Sequence, residues 1–318
     1  MRGRYLLAWL AASWCAAVSA APTNGFAPRS MAYVLQADAF AKSRPEAVRR
    51  LAGCGRDLIV LDADFEAGGG GHWTRGDIAA IRAGRAGRRV VVYLSIGEAE
   101  DYRPYWKKEW DRNRDGRPDP GAPAFLEAEN PEWKGNYRVR YWRPEWQALL
   151  LGQVRAALEA GFDGVYLDIV DAFETYEYDP QKKDWEENRR NPETGRSFRE
   201  DMVAWVARVA DEARRARPGA LVIPQNGEAL LADAAHLARI DAIGIEDLFT
   251  DGNKTQKQKA ADERLRPLAR LRAAGKPVLL IEYPTKPQPR AWAQQQARGY
   301  GFVLLLTDRE LRTLGESP

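Results

Sequence analysis

Phe162-Asp163-Gly164-Val165-Tyr166-Leu167-Asp168 is the stretch that decides the fold. It is a short apolar run ending in an acid, as a buried strand that opens into a polar loop would be. Alternation puts Gly164, Tyr166 and Asp168 on one face and Val165 and Leu167 on the other. Three similar runs precede it, Met31–Asp38, Asp57–Asp64 and Val90–Glu98. Four follow, Ala220–Asn226, Asp241–Glu246, Pro277–Glu282 and Gly301–Asp308. Segments of helical composition lie between most of them, such as Arg44–Gly53, Trp73–Gly87 and Arg196–Arg215. Strand then helix, repeated eight times, predicts an α/β chain folded as a single (β/α)8 TIM barrel. The C-terminal strand ends of such a barrel form its active-site rim. Here that rim carries Asp62, Asp64, Glu98, Asp168, Asp171, Glu246, Asp247, Glu282 and Asp308.

The expected strands span residues 31 to 308 of 318, which leaves no room for a second domain. Arg2 and Arg4 precede an apolar stretch, Tyr5 to Val18, that ends in Val18-Ser19-Ala20. Basic start, short apolar core and small residues at the exit predict a cleaved signal peptide, residues 1–20, and a mature domain, residues 21–318. The stretch is too short to span a bilayer comfortably, so a secreted or periplasmic protein with no membrane span is expected. Cys15 would leave with the signal, and Trp14 before it argues against a lipoprotein anchor. Cys54 then remains alone and no intrachain disulfide can form. Without Arg2 and Arg4 the chain has 46 basic and 45 acidic residues, a net charge of +1. That balance predicts no nucleic-acid or membrane-surface partner, and the protein is expected to be a monomer.

Loop lengths are unequal. Gly68-Gly69-Gly70-Gly71 after strand two lacks the GxxxxGK[ST] arrangement, so it is not a nucleotide site. The segment after strand three runs from Glu98 to about Arg143, and the one after strand four from Asp171 to about Arg196. Both are aromatic-rich, with Tyr102, Tyr105, Trp106, Trp110, Trp133, Tyr137, Tyr141, Trp142 and Trp146 in and beside the first. Phe173, Tyr176, Tyr178 and Trp185 belong to the second. Some of these rings must form the loops' own core; others, Trp142 among them, are expected to stack on sugar rings.

Only two histidines are present, His72 and His236, in no metal-ligand spacing, and no GxSxG elbow occurs. Carboxylates are therefore the chemical resource, and glycosidic bond cleavage is the common reaction that needs only two of them. In strand six, Ala242, Gly244 and Glu246 share a face opposite Ile243 and Ile245. Asp168 and Glu246 should then point inward at the rim; by the same parity strand seven offers Leu280 and Glu282. Asp171 and Asp247 stand where caps of the following helices belong.

Tyr93-Leu94-Ser95-Ile96-Gly97-Glu98-Ala99-Glu100, Asn130-Pro131-Glu132-Trp133, Tyr141-Trp142, Gly164-Val165-Tyr166-Leu167-Asp168, Pro224-Gln225-Asn226-Gly227 and Gly244-Ile245-Glu246 resemble glycoside hydrolase family 114. This is the endo-α-1,4-polygalactosaminidase-like family. The resemblance covers the mature chain and implies a secreted barrel that cuts galactosamine-containing polysaccharide. It also implies Asp168 as nucleophile and Glu246 as acid/base; a strand-seven partner, Glu282, stays open as an alternative to Glu246. Asp64, Glu98, Tyr166, Asn226, Glu282, Tyr283 and Trp142 are the expected substrate-binding residues. An acidic rim suits ammonium groups on such a polymer. Two other readings remain, a non-catalytic carbohydrate-binding barrel and a glycosidase acting on a neutral glycan. No cofactor is expected to be required. Asp111, Asn113, Asp115 and Asp119, with Gly116 at position six, follow a calcium loop for a structural Ca2+, except that Ala122 replaces the acid at position twelve.

Overall fold

The computed structural model describes residues 25–66 and 68–318; the expected signal peptide, with Cys15, lies outside the described residues. Eight parallel strands form its centre: β1 (Met31–Val34), β2 (Leu58–Leu61), β3 (Arg89–Ser95), β4 (Gly164–Asp168), β5 (Leu221–Pro224), β6 (Ile243–Glu246), β7 (Val278–Glu282) and β8 (Val303–Leu306). The first five pair in chain order as one parallel sheet, and the last three as another. A parallel bridge from Gln225 to Gly244 joins β5 to β6. Between β8 and β1 the C-terminal segment intervenes: Glu316 bridges to Leu306, and the Met31 N–H donates to Ser317 Oγ at 3.0 Å. The parallel α/β layout expected from the sequence is present.

Helices α1 (Arg44–Gly53), α2 (Arg75–Ala83), α3 (Pro144–Glu159), α4 (Phe198–Ala216), α5 (Ala234–Arg239), α6 (Gln258–Ala273) and α7 (Pro287–Tyr300) occupy the strand connections. Their starts follow from local chemistry. Thr74 and Asp77 form a capping box for α2, and Ser197 and Glu200 form one for α4. Ser43 caps α1 through the Glu46 N–H. Among the described residues no helix is long and apolar enough to cross a membrane.

The strands bury both faces, as parallel strands do. Ile59, Leu61, Val90, Val92, Val165, Leu167, Ile243 and Ile245 join helix residues in the larger core. The opposite faces supply a second core, from Met31 and Tyr33 through Val60, Tyr93, Tyr166 and Ile223 to Ala242, Ile281 and Leu305. This confirms the alternation read for β4 and β6. Gly244 shows why β6 is small on that face: a methyl there would overlap the Tyr166 hydroxyl and Gln225 Oε1.

For β7 the expected parity is reversed. Leu280 lies in the helix-side core, while Leu279, Ile281 and Tyr283 face the other way. Val278-Leu279-Leu280-Ile281 is apolar at every position, so alternation had no polarity to report. Glu282 therefore turns away from the inner face and Tyr283 takes the inward position.

The long segment after β3 is ordered, with a small antiparallel sheet of Glu98–Glu100, Asn136–Val139 and Leu126–Glu129. Its aromatic residues divide. Trp110, Tyr137, Tyr141 and Trp146 are buried, whereas Tyr102, Trp133 and, after β4, Trp185 are exposed.

Candidate active site

Asp168 ends β4. Its Oδ2 accepts from the Tyr93 hydroxyl at 2.8 Å, and its Oδ1 from the Ile169 N–H at 2.8 Å. Ile169 adopts a φ of 56°, unusual for a β-branched residue, and this turn folds its N–H back onto the carboxylate. Glu246 ends β6. The Tyr283 hydroxyl donates to its Oε2 at 2.7 Å, and the Asn226 amide to its Oε1 at 3.2 Å. Asn226 Oδ1 accepts from Arg264 at 3.2 Å and from the Glu246 N–H at 3.3 Å, which directs the amide nitrogen to Glu246.

Asp168 and Glu246 line one cavity of about 550 Å³. Burial, and then the Glu246 carboxylate, push the Asp168 pKa up to about 7, against the pull of the Tyr93 and Ile169 donors. Asp171 also lines the cavity. It stands at the N-cap of the helix Ala172–Glu177 but makes no capping hydrogen bond. Burial first, then Asp168, Glu174 and Glu246, push its pKa up to about 8. The cap expected at Asp171 is thus absent, and its carboxyl belongs to the cavity wall. Asp247 likewise does not cap a helix; it accepts two bonds from Arg309, at 2.8 and 2.9 Å, while Arg309 lies 4.2 Å over the Tyr283 ring.

Of the other expected binding residues, Glu98, Asn226 and Tyr283 line the cavity. Four do not. Glu282 is wholly buried and accepts from the Phe249 N–H at 2.7 Å and from Thr250 through N–H, at 3.2 Å, and hydroxyl. Burial pushes its pKa up to about 7, but it ties the loop after β6 instead of facing the cavity. Tyr166 is wholly buried beneath the site, bonded to Gln225 and packed on Tyr33 with ring centroids 5.1 Å apart. Trp142 packs against Tyr141, Tyr176 and Phe198 and donates to Glu193 at 2.7 Å, as part of a loop core. Asp64 is buried and paired with His72, and desolvation raises its pKa.

The loop Asp111–Asp119 turns its oxygens onto its own backbone. Asp111 accepts from the Gly116 N–H at 2.9 Å and the Tyr137 hydroxyl at 2.6 Å; Asp115 accepts from the Arg117 N–H at 3.0 Å and Asp119 from the Arg112 N–H at 2.8 Å. Asn113 donates to Asp115 at 2.9 Å. Among the described residues no group of three or more His, Cys, Asp or Glu side chains is placed to hold a metal ion.

Tyr93, Arg264 and Arg309 complete the site without having been singled out from the sequence, and Asp171, read there as a rim acid and helix cap, joins them at the cavity. Tyr93 was within reach, because its parity in β3 places it beside Val91 on the inner face. Arg264 comes from the interior of α6 and has no local signal.

Carboxylates at strand ends over an open cavity, with tyrosines holding them, suit a carbohydrate-active hydrolase. The chain belongs to the glycoside-hydrolase family GH114, which it matches over residues 16–318, and is a glycoside hydrolase. An uncharacterized protein of Deinococcus radiodurans is 36% identical over 259 residues, 81% of this chain and 75% of that protein. Among solved structures, the glycoside hydrolase domain of PelA from Pseudomonas aeruginosa has a TM-score of 0.61 at 21% identity, covering 92% of this chain and 99% of that one. Aspergillus fumigatus Ega3 in complex with galactosamine has a TM-score of 0.62 at 17% identity, covering 91% and 94%. At these identities the two structures share the fold with this chain.

Proposed function

We propose that this protein is a secreted, monomeric, endo-acting hydrolase of α-1,4-linked galactosamine-containing polysaccharide, its mature domain, residues 21–318, closed as one (β/α)8 barrel. The observation that carries the reading is the placement of Asp168 and Glu246 on one cavity, each held by a tyrosine hydroxyl. Family membership and the galactosamine named with Ega3 support the substrate class. Asp171 and Glu174 also line the cavity, and an ammonium group bound beside them would favour their charged forms and be held by them.

In this reading Asp168 is the nucleophile. It attacks the anomeric carbon while Glu246 gives its proton to the leaving glycosidic oxygen. Glu246 then takes a proton from water as the water displaces Asp168, so the anomeric configuration is retained. That course needs the two carboxyls roughly 5 to 5.5 Å apart. Glu98, Asn226 and Tyr283 are the substrate-binding residues kept from the sequence. Glu246 is preferred to Glu282 because both Glu282 oxygens are engaged by the Phe249–Thr250 segment.

Reducing-end release from partly de-N-acetylated α-1,4-galactosaminogalactan tests this directly. Asp168→Asn and Glu246→Gln should each lower kcat by about a thousandfold or more while remaining folded. Binding without release by the wild type would instead favour a non-catalytic carbohydrate-binding protein. Full activity on an entirely N-acetylated chain would point to a neutral glycan.

A further inference from the structure

Glu98 lies on the short strand after β3, is only 4% exposed, and lines the cavity. Its Oε1 accepts from the Asn130 amide at 2.7 Å. Asn130 Oδ1 in turn accepts from the Glu132 N–H at 3.0 Å, so the amide is held in that orientation. Oε2 is buried and makes no hydrogen bond of good geometry among the described residues, although the Asn136 amide stands close enough to help hold the carboxylate in its charged form. A buried carboxylate oxygen without a donor is costly, and a ligand that supplies one recovers that cost. Trp133, at the tip of the same turn, is 49% exposed and lines the cavity as well. The turn is fixed by Trp133 N–H to Asn130 O and Asn136 N–H to Trp133 O, both 3.1 Å, and by Asn130 N–H to Asn136 O at 2.7 Å.

Charge on this side differs from that at the strand ends. Arg138, opposite Glu98 in the antiparallel ladder, and Lys134 line it, whereas Asp168, Asp171, Glu174 and Glu246 line the other. Glu100, on the same short strand, lines the cavity too but is held by Arg103 at 2.6 Å. Arg138 and Lys134 therefore face Glu98 as the one acid on this side without a cation of its own among the described residues, which disfavours an ammonium group here.

We propose that Glu98 and Trp133 form a further subsite, one that takes an uncharged pyranose unit of the chain. Trp133 stacks on the ring's C–H face, and Glu98 Oε2 accepts a hydroxyl or acetamido N–H from it. The inference rests on the reading of the substrate as a partly N-acetylated galactosamine chain, and it adds a pattern requirement: charged unit toward the strand ends, neutral unit toward the β3 loop.

The test is kcat/KM on oligomers of increasing length for the wild type, Glu98→Gln and Trp133→Ala, each checked for fold by circular dichroism. The loss should grow with length and reach about tenfold on long, partly N-acetylated oligomers. It should be smaller on fully de-N-acetylated oligomers of the same length. Equal losses at every length would overturn the subsite, because the residues would then act at the scissile bond or on the fold. Undiminished rates on long chains would overturn it too, and losses indifferent to N-acetylation would overturn its neutral character. Should the wild type cleave none of these oligomers, the substrate reading fails, and calorimetric titration with an N-acetylgalactosamine oligosaccharide still reads the subsite. Heat lost in both variants supports it; heat retained in both, or absent from the wild type, overturns it.

Discussion

Tyr93 reaches Asp168 with a hydroxyl at 2.8 Å, and a donor of this kind holds a carboxyl pKa down. Burial and Glu246 still carry Asp168 up to about 7. The active pair holds one proton, with Asp168 ionised and Glu246 protonated, and the charge of an ionised Glu246 is part of what carries Asp168 to about 7. As pH rises through about 7 the pair loses that proton, so kcat/KM should fall, and Tyr93→Phe should move that limb to higher pH. A limb unmoved in the variant would take Asp168 out of that titration. His236 offers a second titration, one of stability. It is 1% exposed, neither ring nitrogen has a partner among the described residues, and burial lowers its pKa from 6.5 to about 4. Between those values the unfolded chain binds a proton that the folded chain does not, so stability falls as pH drops through the window and is unaffected above it. The full effect is about 3 kcal/mol. His236→Leu should flatten that slope in denaturant unfolding measured from pH 7 to pH 4; an unchanged slope would assign the acid sensitivity to other groups.

Elements differ in how much of their geometry is written locally. Helix α1 occupies the span read from composition, Arg44–Gly53, because Ser43 caps it and the apolar residues Ala47 and Leu51 repeat on one side. β4 and β6 were legible because their two faces differ in size and polarity. β7 was not, since Leu279 and Leu280 look the same to either core. The Asp111–Asp119 loop has calcium-loop spacing, but spacing does not say which way the oxygens turn. Here they accept N–H donors from Gly116, Arg117 and Arg112. We expect the loop to hold its shape without a cation, so that calcium added to chelator-treated protein leaves Tm unchanged. A rise in Tm with calcium would instead mark the loop as a cation site.

At the scale of the whole molecule, the C-terminal segment stands between the last strand and the first. Arg56 donates to Gly315 O at 2.8 Å and to Ser317 O at 2.9 Å, and Leu306 and Glu316 exchange backbone bonds at 2.7 and 2.8 Å. The Leu35 N–H donates to Leu311 O at 3.0 Å, next to Arg309 over Tyr283. Removing residues 314–318 should therefore cost about 3 to 5 kcal/mol, from several hydrogen bonds lost together. Thermal unfolding reads the loss, and an unchanged Tm would mean that β1 and β8 are held together by their side chains alone.

Read by itself, the sequence determined the order of strands and helices, the span of helix α1, and the inward rim ends of β4 and β6 where Asp168 and Glu246 stand. These rest on alternation, capping and chain order, which act over a few residues. Tertiary structure alone decided which acids stay open. Asp62 is closed by Arg103 at 2.7 and 2.8 Å, Asp64 by His72, and Glu282 by Phe249 and Thr250. Asp171 and one oxygen of Glu98 are left facing the cavity. A carboxyl's role depends on the donors and the burial that distant segments bring to it, and its own neighbours in the chain do not specify those.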